Sequence, residues 1–120
     1  MALAEYRVKR IHAPLSDEDG TRVLVDRLWP RGMAKEAAGV DHWLRDVAPS
    51  DELRRWFDHR SERWDEFRRR YFAELDHASD AGAFAQLRAL RGRVTLLFAA
   101  RDEVHNNAVA LKEYLERDRA

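Results

Sequence analysis

The stretch from residue 94 to residue 100 reads Val-Thr-Leu-Leu-Phe-Ala-Ala and contains no charged side chain. A strand with one solvated face alternates apolar and polar residues, whereas a strand covered on both faces is continuously apolar. The stretch therefore predicts a central strand whose two faces are both buried. Burial of this kind favours parallel strands with helices packed against them.

Two segments nearer the N-terminus predict further strands. Residues 6–11 alternate, with Tyr6 and Val8 opposite basic residues, as in a half-buried strand. Residues 22–26 form a short apolar run that must end before Pro30, because proline cannot donate to a sheet ladder. Residues 42–47 leave two interpretations open, a third short strand or an irregular packed segment.

Helices are predicted between and after these strands. Ser50 is a suitable N-cap for one helix, and Asp80 for a shorter one that Gly92 ends. A final helix is predicted over residues 105–117. The clearest helical spacing links Trp64, Phe67, Tyr71 and Leu75.

The order of these elements predicts one small three-layer α/β domain over residues 1–120. It would contain three or four mostly parallel strands with helices on both faces of the sheet.

The composition excludes several functions. The chain has no cysteine, which removes disulfides, thiolate zinc sites and cysteine nucleophiles, and with them rhodanese-type sulfur transfer and cysteine-based phosphatases. The net charge is zero, so bulk charge does not support nucleic-acid binding. Of the 22 basic residues 19 are arginine; a coding bias explains this more simply than phosphate recognition does.

The chain shows no targeting or membrane signal. No apolar run approaches the roughly 20 residues that cross a bilayer, and the start of the chain soon becomes charged. A cytoplasmic location and no membrane partner are therefore expected.

Three polar segments follow the predicted strands: residues 26–32, 48–50 and 101–107. Ligands of open parallel sheets bind beyond the carboxyl ends of the strands. If the strands are parallel, these segments meet at one edge of the sheet.

The first segment suggests recognition of an anion and a ring. Arg27 and Arg31 could grip an anion, Trp29 could stack on a base, and Gly32 would let the backbone approach a ligand closely. Alternatively, these residues only pack the exit of the strand, with Arg27 paired to an acidic side chain.

The second segment leads into a helix. Its N-terminus at Ser50 could bind an anion with help from Arg54, or Ser50 could simply cap the helix.

The third segment contains the candidates for chemistry. His105 could act as a general acid or base, positioned by Asp102 or Asn106. Arg101, Asn106 and Asn107 would contact the ligand. Alternatively, Asp102 and Asn106 satisfy the hydrogen bonds of a turn and a helix cap.

Other motifs give no further assignment. The chain lacks a dinucleotide-binding glycine motif and a P-loop, and its five histidines have no metal-binding spacing. No metal site is predicted, and the cofactor stays unknown.

Several segments together resemble a known family. They are residues 25–32 (VDRLWPRG), 43–50 (WLRDVAPS), 53–59 (LRRWFDH) and 96–108 (LLFAARDEVHNNA). This combination resembles the YeaO-like proteins, a bacterial family catalogued as domain of unknown function 488. The resemblance implies a compact cytoplasmic α/β fold and points to the same three polar segments, but it implies no settled activity.

Three hypotheses for function remain. The first is a small enzyme or binding domain for a phosphate-bearing ligand such as a nucleotide. The second is a noncatalytic module that binds nucleic acid or a protein through Arg63, Arg68 and Arg69 on the long helix. The third gives the polar motifs a purely structural role. Enzymatic activity and oligomeric state are left open.

Overall fold

The computed structural model describes residues 3–78 and 82–117, and these residues form a four-stranded sheet. The strands are β1 (Ala4–Arg10), β2 (Thr21–Leu24), β3 (His42–Trp43) and β4 (Gly92–Phe98). Their order is β1-β4-β2-β3, and every pair is parallel. The apolar stretch near residue 94 is thus a central strand, as predicted, and the α/β class is confirmed.

Helices connect the strands and follow the last one. They are α1 (Lys35–Ala38), α2 (Asp51–Phe57), α3 (Trp64–Ala78), α4 (Gly82–Ala89) and α5 (Asn107–Arg117), with single 3-10 turns at Asp17–Asp19, Arg45–Val47 and Ser61–Arg63. The predicted long helix is α3; Phe67, Tyr71 and Leu75 of the helical pattern are buried, and Trp64 is partly buried.

The two faces of the sheet are covered unequally. Alternate residues of the strands, such as Tyr6, Val23 and Leu96, pack with α2, α3, α4 and α5 into the main core. The opposite face carries a smaller cluster that includes Leu24 and Leu97. This second layer consists of the four-residue helix α1 and the loops around it.

The amino end of the second face holds a buried ionic group. The guanidinium of Arg22 donates to Asp19 at 2.6 Å and to the carbonyl oxygens of Ala38 and Gly39. Lys9 approaches both carboxylate oxygens of Asp19 at 3.0 Å. These bonds fix the turn before β2 to the sheet.

Gly20 is required beside this group. Its φ is 65°, and a Cβ atom there would lie 2.3 Å from the carbonyl oxygen of Arg93. Any larger residue would push β4 away from the turn.

Several boundaries differ from the sequence prediction. Residues 42–47 combine both interpretations, because β3 spans only two residues and a 3-10 turn follows it. Gly92 does not end α4 but begins β4, with the helix ending at Ala89. The last helix begins at Asn107 rather than at residue 105. Asp80, predicted as a cap, lies outside the described residues.

Within the described residues, no helix has both the length and the apolar character that crossing a membrane requires.

Candidate functional site

A cleft of about 660 Å³ opens at the carboxyl edge of the sheet. Its walls come from the segments after β2 and β4, from the loop before α2 and from the start of α5. The three polar segments therefore meet, as parallel strands require. Lining residues from these segments are Asp26, Arg27, Leu28, Trp29, Pro30, Ala48, Pro49, Ala99, Ala100, Arg101, Asp102, Asn106 and Asn107; Arg54, Phe57, His59 and Phe67 complete the wall.

The structure brings together most, but not all, of the predicted site residues. Among the predicted ones, Arg27, Trp29, Arg54, Arg101, Asp102, Asn106 and Asn107 line the cleft. Of the other four, Arg31 and Gly32 lie exposed in the turn beyond Pro30, outside the cleft lining. Ser50 and His105 are also outside it, and each is held by a carboxylate.

Arg27 fastens one wall of the cleft. Its Nε donates to the carbonyl oxygen of Pro49 at 3.3 Å, and its Nη2 to that of Ala48 at 3.4 Å. Asp46 and Asp51 lie within 4.0 Å of the same guanidinium. These contacts agree with the alternative interpretation, in which Arg27 packs the exit of the strand and pairs with acidic side chains.

Ser50 caps α2, and the position next to it is already occupied. The hydroxyl oxygen accepts from the amide of Leu53 at 3.1 Å, while the hydroxyl and backbone amide donate to Glu74 at 2.6 and 2.9 Å. A carboxylate of the protein thus takes the place where an incoming anion was predicted. The contacts match the alternative in which Ser50 is only a cap.

Two other arginines of the cleft hold fewer partners. Arg54 donates to Asp51 at 3.3 Å, one turn earlier on α2. Arg101 is exposed, and it makes no hydrogen bond or ion pair with the part of the chain that the structure describes. A guanidinium in this state keeps all its donors available to a ligand.

Asp102 organises the turn between β4 and α5. Its Oδ1 accepts from the amides of Val104 and His105, and its Oδ2 lies 2.9 Å from Nδ1 of His105. The hydrogen bond from the His105 amide, together with those from its imidazole and from Val104, lowers the pKa of Asp102 to about 2. His105 itself packs edge-on against Trp64.

Asn106 is the N-cap of α5. Its Oδ1 accepts from the amide of Val109 at 3.0 Å, and its Nδ2 donates to the carbonyl oxygen of Asp102 at 2.9 Å. Only 2% of its surface is exposed, so Asn106 stabilises the turn between β4 and α5 from a buried position. The contacts of Asn106 and Asp102 agree with the turn-and-cap alternative.

Asp26 lies beside Arg27 but was not among the predicted site residues. Its carboxylate accepts from the amide of Ala99 at 2.9 Å and is also held by the side chain of Asn107, which donates to the carbonyl oxygen of Val25. Burial raises the pKa of Asp26, and the hydrogen bonds only partly offset this. Asp26 could have been identified from the sequence because it is the first polar residue after β2.

His59 lies just beyond α2, which ends at Phe57. Asp58 and His59 follow with φ values of 49° and 54°, in the left-handed region that residues other than glycine rarely adopt. This bend places His59 in the wall of the cleft. Strained backbone of this kind often accompanies functional sites.

Trp29 is held rigidly. Its indole N–H donates to the carbonyl oxygen of Met33 at 2.7 Å, and its ring meets Trp43 edge-on, with the ring centres 5.4 Å apart. It provides an aromatic surface on the side of the cleft formed after β2.

No group of three or more His, Asp or Glu side chains within residues 3–78 and 82–117 is arranged to hold a metal ion.

Comparisons with known proteins agree with the resemblance in the motifs. The family model described as the "Inactive DUF488-N3 subclade" matches residues 5–120. The chain belongs to this family. It is 46% identical over 111 residues to the uncharacterised protein Rv3073c of Mycobacterium tuberculosis, covering 91% of this chain and 92% of that protein.

Another relative, the uncharacterised protein YeaO of Escherichia coli, is 38% identical over 108 residues, covering 89% of this chain and 93% of its own length. No solved structure matches. The family thus confirms the YeaO-like assignment, and the names of these relatives specify no ligand or reaction.

The arginines of α3 are mostly committed to neighbours. Arg68 forms a two-bond pair with Glu113, and Arg69 and Arg70 both bond Glu66. Arg63, predicted on the long helix, lies instead in the 3-10 turn just before α3, where it donates to the carbonyl oxygen of Trp56 and covers its ring. The hypothesis of a basic docking helix predicted unpaired arginines on an open surface; Arg68 and Arg69 are paired with carboxylates, and Arg63 with a carbonyl oxygen.

Proposed function

We propose that this protein binds a small phosphate-bearing ligand, such as a nucleotide, in the cleft and does not catalyse a reaction on it. The observation that carries the proposal is the free guanidinium of Arg101, which lines the same cleft as Arg54. Arginine binds phosphate through paired, charge-assisted hydrogen bonds. The phosphate would be held at the arginines, with the rest of the ligand inside the cleft.

The dimensions and walls of the cleft support a small organic ligand. Its volume of about 660 Å³ lies within the range of roughly 300–1,000 Å³ that is usual for ligand sites. The partly exposed ring of Trp29 and several small apolar residues offer contact area, and the core residues Phe57 and Phe67 form the inner wall. A planar base could pack against these groups, while inorganic phosphate alone would fill little of the space.

The residues of the cleft favour binding over catalysis. Within the described part of the chain, its lining contains no serine, threonine, lysine or tyrosine, and the whole sequence has no cysteine. Covalent catalysis uses these side chains or a carboxylate or imidazole, and the carboxylates of the lining, Asp26 and Asp102, are engaged by donors of the protein itself. The description of the matching family as inactive points in the same direction.

The predicted acid–base pair adds to this argument. Asp102 is engaged by three donors from its own turn, and His105 does not line the cleft. A general acid or base must reach the reacting atoms of the ligand. The pair is therefore assigned to holding the turn that carries Arg101.

Titration calorimetry tests the proposal with inorganic phosphate, guanosine monophosphate and adenosine monophosphate. Replacing Arg101 or Arg54 by glutamine should weaken nucleotide binding roughly tenfold or more, since a hydrogen bond to a charged group contributes about 1.5–3 kcal/mol. Arg55→Gln is the matched control, because Arg55 is an exposed neighbour on α2 outside the cleft.

The outcomes are distinct. Loss of affinity in the Arg101 and Arg54 variants, with an unchanged Arg55 variant, would support the site. Equal effects from all three would mean that binding follows overall charge instead. Phosphorus NMR of the bound nucleotide should show no conversion over hours, and steady turnover that Arg101→Gln abolishes would contradict the noncatalytic assignment.

A further inference from the structure

Asp26 gives the cleft a second polar feature, separate from its arginines. The residue follows β2 and lines the cleft, while its Oδ2 is anchored 2.9 Å from the amide nitrogen of Ala99. The side chain of Asn107, which begins α5, also donates a hydrogen bond to it. The carboxylate is therefore fixed in orientation by two neighbouring elements.

This carboxylate lacks a partner of full positive charge. Asp26 forms no ion pair with an arginine or lysine of the described residues, although Arg27 is next to it in sequence. The guanidinium of Arg27 turns instead toward Ala48 and Pro49. Asp26 is partly buried, and the hydrogen bonds it accepts come from the neutral groups of Ala99 and Asn107. An ionised carboxylate has about four lone-pair positions, so Asp26 can still accept from a ligand that brings donors.

The pKa of Asp26 is consistent with the absence of an arginine or lysine partner. Burial raises the pKa of Asp26; the hydrogen bonds from Ala99 and Asn107 and, least of all, the neighbouring His59 oppose that change. A ligand that donates hydrogen bonds would stabilise the ionised form. A phosphate placed against the same carboxylate would be repelled.

We propose that Asp26 is the specificity-determining acceptor of the cleft, binding two adjacent hydrogen-bond donors on the end of the ligand remote from its phosphate. The inference rests on the proposed function, since the phosphate is assigned to Arg54 and Arg101. Two parts of a nucleotide have this donor pair: the edge of guanine, with its imino N–H and exocyclic amine, and the two hydroxyls of ribose. A carboxylate accepts from either pair with two oxygens.

A ligand series on the unaltered protein tests the inference without any change to the fold. Guanosine, inosine, adenosine and dideoxyguanosine monophosphates and ribose phosphate are compared by calorimetry. If guanine is the donor, guanosine monophosphate binds roughly tenfold tighter than the inosine and adenosine forms, because each lacks part of the donor pair. If ribose is the donor, the three bases bind alike and the dideoxy form loses roughly tenfold.

Asp26→Asn then tests the residue itself. The amide keeps an oxygen for Ala99 but replaces one acceptor position by a donor. We expect the preference found in the ligand series to disappear, and in the guanine case xanthosine monophosphate to become the preferred ligand. Asp17→Asn is the matched control, because it removes the same charge from an exposed turn outside the cleft. Thermal unfolding of each variant checks that the fold persists.

Each result decides between the two proposals. Equal binding of all nucleotides by the unaltered protein, with no change in Asp26→Asn, would overturn the role of Asp26 while leaving phosphate binding in place. Absence of binding for every nucleotide and for inorganic phosphate would overturn the proposed function, and this inference with it. A preference lost in Asp26→Asn and kept in Asp17→Asn would establish the acceptor.

Discussion

Asp102 accepts hydrogen bonds from both the amide and the imidazole of His105, each at 2.9 Å. Because these bonds favour the ionised carboxylate, its pKa is lowered to about 2. The stabilisation is therefore complete above the unfolded pKa of roughly 3.9 and is lost as the pH falls through 2. Carbon-detected NMR titration should show Asp102 among the last carboxyl groups to protonate on acidification.

The control for this titration is His105→Phe, which keeps the backbone amide but removes the imidazole. The pKa of Asp102 should rise toward the usual value without reaching it, since the amide bonds of residues 104 and 105 remain. An unchanged pKa in this variant would show that the imidazole contributes nothing to the turn.

Asp26 should show the opposite dependence on pH. Burial raises its pKa above the unfolded value, so its ionised form destabilises the fold, and this penalty grows as the pH rises through the folded pKa. Asp26→Asn should therefore raise the melting temperature at pH 7, with a gain that shrinks toward pH 4. Calorimetric unfolding at several pH values measures it.

A stabilising substitution at Asp26 would identify a residue kept at a cost to the fold, as functional residues often are. If Asp26→Asn instead lowers the melting temperature at neutral pH, the bonds to Ala99 and Asn107 outweigh the burial, and the residue is part of the framework.

Much of the fold could be predicted because its signals are local. A few neighbouring residues are enough to predict β4 from its continuous apolar run. The same holds for α3, which is predicted from the helical spacing of Phe67, Tyr71 and Leu75. β3 could not be assigned, because a strand of two residues has no period, and its pairing with β2 is a tertiary contact.

The candidate site was only partly predictable, for two different reasons. Parallel strand order brought the three polar segments together, which the sequence could anticipate. The hydrogen bond from Ser50 to Glu74 joins residues that are 24 positions apart, so no local sequence pattern predicts it. Left-handed backbone at His59 was equally hidden, because glycine usually marks that conformation.

The ion pairs of the α3 arginines were predictable from the sequence in part. Glu66 stands three and four residues before Arg69 and Arg70, a spacing at which helical side chains meet. Their pairing could thus have been predicted from the sequence, whereas that of Arg68 with Glu113 depends on how α5 packs.

Ser50 and Glu74 offer a test of the framework beside the cleft. Ser50→Ala removes a helix cap and should cost about 1 kcal/mol of unfolding free energy, with further loss because Glu74 keeps an unmatched oxygen. Urea denaturation of Ser50→Ala, Glu74→Gln and the double variant measures the coupling. Additive effects would show that the two side chains do not interact in solution, and nucleotide binding should survive in each variant.

Arg22 should be among the most sensitive positions of the fold. In Arg22→Met, the buried carboxylate of Asp19 keeps only Lys9 as a cation. The carbonyl oxygens of Ala38 and Gly39 also lose the hydrogen bonds that they accept from Arg22. Breaking a buried ion pair from one side typically costs about 3–5 kcal/mol, so this variant should lose a large part of the stability of a small domain. Lys9→Met is the matched control, because Lys9 is more exposed and its removal leaves the Arg22 bonds intact. Urea denaturation should rank the two losses clearly, with Arg22 the larger; equal losses would mean that the carboxylate of Asp19 depends on both cations alike.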